Sequence, residues 1–287
     1  MVHMKKIAEN TYIESAYPGV LVGAVLRPRG LLLIDAPLRP DDGRAWLAAL
    51  HDKGASNNRL LVNLDAHPDR TVGARALNAT VIAHNETAAH FRSRSSLFKA
   101  QNESTGAAWE SVSGLTGLRW LPPGLSLSAA AAVAFDDTGL LLEHHPGPQL
   151  GSLWVHLPED GILFIGDTVP IKQPPFLAHA DIEAWLTSLS LLSSKQFAGY
   201  TILSSRGGPI TKPHIQALQK FLKDVKTRLD RLGRRKGLPA ATEKIAANLF
   251  TKYKYAPNAD DSFANRLRYG LHHYYTRRYR SNPKSSS

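Results

Sequence analysis

The chain has 287 residues, 43% of them hydrophobic and 21% charged, which suffices to bury the core of a large domain and is not the composition of a disordered chain. It has no cysteine, which excludes disulfides, thiolate metal sites, cysteine nucleophiles and iron–sulfur clusters. Its net charge of +11 is concentrated at one end: residues 211–287 hold 18 Lys and Arg against 5 Asp and Glu, and residues 1–210 hold 17 against 19.

No long apolar run follows Lys5 and Lys6. The longest apolar stretches, 30–36 and 125–135, are too short or too polar to span a bilayer. The expectation is a cytoplasmic chain with no membrane partner. In chain order, residues 19–26 and 30–35 form two apolar runs joined by Arg27-Pro28-Arg29, the pattern of a hairpin. Helical periodicity over 41–54 follows Pro40-Asp41-Asp42. A buried-type strand is predicted at 59–63, a helix near 72–77, a strand at 80–84 and a helix over 85–98. Residues 99–118 read as a surface loop. Short strands follow at 132–135, 139–144, 152–157 and 162–165, then a helix at 181–193 and a strand at 200–204. From Lys212 on the pattern is helical, over 213–232, 240–253 and 263–275, with a frayed tail at 281–287. Two strand-rich stretches, each followed by helices, imply sheets packed on one another with helices outside.

The polar residues that could do chemistry sit where these strands end. Asp65-Ala66-His67-Pro68-Asp69-Arg70 follows the strand at 59–63, Pro146-Gly147-Pro148 follows the strand at 139–144, Gly166-Asp167 follows the strand at 162–165, and Ser205-Arg206-Gly207-Gly208 follows the last strand. In this order the phrases resemble the metallo-β-lactamase superfamily over roughly residues 7–215, and Asp35 and Gly73 fit the same pattern. The resemblance implies an α+β fold of alternating strands and helices, a four-layer αββα sandwich. Residues 1–211 would form it, and 212–280 would be a basic helical extension packed against it.

In that family the first motif is His-x-His-x-Asp-His. Here Asp65 stands at the first His, His67 and Asp69 match, and Arg70 replaces the last His. Pro148 stands where a His follows Pro-Gly, Asp167 matches the bridging Asp, and Arg206 stands at the fourth motif's His. The resemblance therefore implies a hydrolase with at most one divalent metal, Zn, Mn or Fe, held by Asp65, His67, Asp69 and Asp167, with His145 as a replacement ligand. Asp69 would orient a metal-bound nucleophile, and Arg70 or Arg206 would stabilise the negative charge developing on an ester, lactone, amide, thioester or phosphoester. His84 and Phe176 are candidates to touch a small-molecule substrate, and Trp109 and Trp120 to wall the cleft. The alternative is a metal-free centre held together by Arg70 and Arg206, in a protein used for binding or assembly.

The basic, aromatic-rich stretch 266–280 could stack on and neutralise nucleic acid, pack onto its own domain, or join two copies in a homo-oligomer. If the site does small-molecule chemistry, truncation after about Tyr253 is expected to spare it.

Overall fold

A computed structural model describes residues 2–99, 104–135, 139–253, 255 and 261–280; the tail expected to fray at 281–287 lies outside these. Seven strands form the first sheet in sequence order: β1 (Lys5–Ala8), β2 (Thr11–Glu14), β3 (Val22–Arg27), β4 (Gly30–Ile34), β5 (Arg59–Val62), β6 (Thr80–His84) and β7 (Leu125–Leu127). Pairing is antiparallel from β1 to β4 and parallel from β4 to β7. The second sheet runs β8 (Ala130–Ala134), β9 (Gly139–His144), β10 (Leu153–Leu157), β11 (Ile162–Phe164), β12 (Thr201–Ser204) and β13 (Gly208–Pro209). Only β11 and β12 pair in parallel there. Their connection carries a helix, as a parallel crossover requires.

The two-residue period of a strand decides the layering. In β4 every residue is buried: Leu32 and Ile34 face the second sheet, where Leu142, Val155, Phe164 and Leu203 meet them, while Leu31 and Leu33 face outward. Helix α1 (Pro40–His51) covers that outer face with Trp46, Leu47 and Leu50. After β5 come a single turn, α2 (Pro68–Thr71), and a 3-10 turn at Ala74–Leu77, where the sequence predicts one helix at 72–77. Helix α3 (Asn85–Ser93) stops short of 98 because Arg94 is extended. On the outside of the second sheet lie α4 (Ile182–Leu192), α5 (Lys212–Arg234), α6 (Thr242–Lys252) and α7 (Asp261–Tyr275). They share one core with the sheet: Trp154 and Leu163 pack with Trp185, Leu222, Leu249, Leu267 and Tyr275. Tyr274 and Tyr275 are thus buried in their own chain. The result is an α+β sandwich of four layers, αββα. Strands β1, β2, β7 and β13 go beyond the sequence expectation. Among the described residues, no helix is long and apolar enough to cross a membrane.

Candidate functional site

The chain leaves β4, β5, β11 and β12 at one edge of the sandwich, and the side chains just past those four strand ends converge. Asp35, in a left-handed conformation at φ 57°, accepts the backbone N–H of Leu64 (2.9 Å) and bonds from Arg70 Nη1 (2.9 Å) and Ser205 Oγ (3.2 Å). Arg70 is fully buried. Its Nη2 donates to Asp167 Oδ1, and its Nε lies 3.1 Å from Asp65 Oδ1, an ion pair too bent to count as a hydrogen bond. Arg206 completes the centre. Its Nε bridges both oxygens of Asp167 (3.0 and 3.1 Å), its Nη1 donates to Asp69 Oδ2 (2.8 Å) and its Nη2 donates to His67 Nδ1 (3.2 Å).

Local structure fixes the remaining acceptors. His67 is the N-cap of α2, and its Nδ1 accepts the backbone N–H of Asp69 (3.2 Å). Asp69 accepts the N–H groups of Trp109 (2.8 Å) and Ala108 (3.3 Å), tying the 3-10 turn at Ala108–Ser111 to the centre. Asp65 accepts the N–H of His67 (2.8 Å).

The electrostatics divide the four acids into two pairs. Burial pushes the Asp69 and Asp167 carboxyls up, but the neighbouring guanidiniums outweigh it and hold both below the usual carboxylate range. Burial wins at the other two: Asp35 is pushed up to about 7, and Asp65 is raised as well. Two firmly ionised carboxylates therefore match two guanidiniums. Burial lowers His67 to about 3, so its imidazole is neutral at physiological pH. A guanidinium and a backbone N–H can only donate, so the lone pair of Nδ1 is taken and the ring proton sits on Nε2.

A cavity of about 500 Å³ opens over His67, between α3, the 104–111 segment and α7. Phe176 lines it and lies against His67 (ring centroids 4.4 Å), with the guanidiniums of Arg206 and Arg266 4.7 and 4.1 Å from its ring. Trp109 and Trp120 line it too, each edge-on to Phe98. A second cavity of about 630 Å³ lies beyond Arg206 and Arg266.

The family model of the metallo-β-lactamase superfamily matches residues 19–196. The chain belongs to that superfamily. Among solved structures it is similar to a metallo-β-lactamase from Pontibacter korlensis, at 18% identity and a TM-score of 0.61, covering 78% of this chain and 99% of that one. It also resembles DIM-1 metallo-β-lactamase (17%, TM-score 0.58, 77% and 97%). A variant of the sec-alkyl sulfatase PisA1 matches at 14% identity and a TM-score of 0.69, over 96% of this chain but only 50% of its own. No curated protein sequence matches the chain.

Superfamily membership implies a divalent metal at this edge, and the donors present do not fit one. Asp69 and Asp167 are spoken for by Arg206 and Arg70, Asp65 lies against Arg70, and the His67 lone pair points at two N–H donors. A cation placed among them would face two fixed guanidiniums, which are always charged and cannot ligate. Among the described residues, no three His, Cys, Asp or Glu side chains are arranged to hold a metal.

Two other candidates are engaged elsewhere. His145 stacks on Trp154 (3.7 Å) and has no contact with the centre. His84 caps α3 by accepting the Glu86 N–H (3.1 Å), stacks on His144 and lines neither cavity. The start of a helical pattern at Asn85-Glu86 is the signal that marks His84 as a cap. Sequence reasoning passes over Arg94, on the cavity wall after α3, and reads Arg266, on α7, only as part of the basic stretch 266–280 and not as a wall of this cavity.

Proposed function

We propose that this chain is a metal-independent member of the superfamily that binds a small molecule in the cavity over His67, with the arginine–aspartate centre as a rigid floor. One observation carries this reading: each donor that the family resemblance assigns to a metal, Asp65, His67, Asp69 or Asp167, lies against a guanidinium. Hydrolysis in the same cavity is the second reading, favoured by superfamily membership. It lacks support from the lining, because neither Arg70 nor Arg206 lines the cavity and its described walls contain no carboxylate to serve as base. His90, held by burial to about 4, is a weak base there.

The test is elemental analysis of tag-free protein purified without added metal. The expected result is far less than one Zn, Mn or Fe per chain, with a melting temperature indifferent to chelator. Generic esters, lactones and phosphodiesters should then show no metal-dependent turnover. One tightly held metal per chain would overturn the reading and restore the mononuclear hydrolase.

A further inference from the structure

The cavity walls carry an unusual charge distribution. Arg266 is 4% exposed, yet all its bonds go to neutral acceptors: Gly106 O from Nε (3.0 Å) and Nη2 (2.6 Å), and Gln173 Oε1 (2.7 Å) and Pro174 O (3.1 Å) from Nη1. Arg94 likewise has a single bond, from Nη2 to Ala66 O (2.9 Å), and its Nη1 is buried without a partner. Lys99 also lines the cavity, and no Asp or Glu does so among the described residues. A buried cation without a counter-ion is costly. Arg266 is such a cation, and the half-buried Arg94 adds a second guanidinium with no ion pair; Asp65, Asp69, Asp167 and Glu110 act on the two only at longer range, so the cavity wall keeps a positive excess.

The same walls are aromatic. Arg94 lies 4.5 Å from the ring of Trp120 and 5.0 Å from Phe91, and Arg266 lies 4.1 Å from Phe176. Rings cover the faces of both guanidiniums, and Phe98 and Trp109 continue the apolar wall. About 500 Å³ is room for a drug-sized molecule.

We propose that the cavity binds an organic monoanion with a flat apolar body, its acid group drawn to Arg94, Lys99 and Arg266 and its body packed among Phe98, Trp109, Trp120 and Phe176. This rests on the binding reading above and specifies its ligand class. Carboxylate is the simplest such head, since it accepts charge-assisted hydrogen bonds from a guanidinium or an ammonium group.

Naphthoate and its uncharged, similarly shaped amide naphthamide are the probes, titrated against the full-length protein by quenching of tryptophan fluorescence and by calorimetry. Naphthoate should bind one per chain, at least about tenfold more tightly than naphthamide, and more weakly as salt rises. Arg94→Gln and Lys99→Gln should each reduce that preference while melting near the wild-type temperature. Arg266→Gln is avoided because this side chain also ties α7 to Gly106. Equal affinity for the two probes, no binding of naphthoate, or a preference untouched by both variants would overturn the proposal. The titration is repeated with chelator. Naphthoate binding that chelator abolishes would mean a metal holds the anion, and the metal-independent reading would fall instead.

Discussion

Arg70 is buried completely and is in reach of three carboxylates, those of Asp35, Asp65 and Asp167. A guanidinium there does what a cation would do, neutralising acids that the fold has already removed from water, and does it without an open coordination position. Arg70→Ala should therefore cost about 3–5 kcal/mol, because it strands buried carboxylates. Arg235→Ala, on an exposed site, should change stability by no more than about 0.5 kcal/mol. Denaturant titration compares them, and equal midpoints would show that the acids do not depend on Arg70. At this scale the sequence is informative where chemistry follows directly on a strand: Asp65, His67, Asp69, Arg70, Asp167 and Arg206 can all be located from the strand ends. The ion pair of Asp35 with Arg70, 35 residues on, has no local signature. Nor does Arg94, which reads as one more helix-surface cation until the helix is seen to end at Ser93.

The strands and helices themselves are largely legible, because β3 to β6 and β9 to β12 are apolar runs between turn residues. The short, partly polar β1 and β2 have no such contrast. What the pattern cannot show is where α7 docks. It lies against the 104–111 segment and Leu177. At Gly106 (φ 70°) a Cβ would come within 2.1 Å of Ser262 O, and at Gly270 a Cβ would lie 3.1 Å from that of Leu177. The expectation that truncation after about Tyr253 spares the site therefore needs correction, since it would remove Arg266 and a wall of the cavity. Gly106→Ala offers a milder probe. Positive φ and the clash with Ser262 should push the start of α7 away, lowering the melting temperature and the hydrogen-exchange protection of its first turn. Unchanged protection there would mean that α7 is not held by this contact.

Across the whole molecule, charge collects at one end. The exposed Arg231, Arg234, Arg235 and Lys236 close α5, and Arg277, Arg278 and Arg280 follow α7, with Arg280 donating to the Lys236 and Gly237 carbonyls. Retention on immobilised nucleic acid should be strong at low salt and fall steeply with salt, as counterion release requires. Arg235→Glu with Arg278→Glu should weaken it without altering naphthoate affinity; salt-insensitive retention would exclude this surface as its cause. Arg266 and Gly106 are 160 residues apart in sequence, and joining them closes a long loop. Local turns and hairpins form before a contact of that span. A chain in which this contact has not formed lacks one wall of the pocket. Whatever occupies the pocket stabilises only finished molecules.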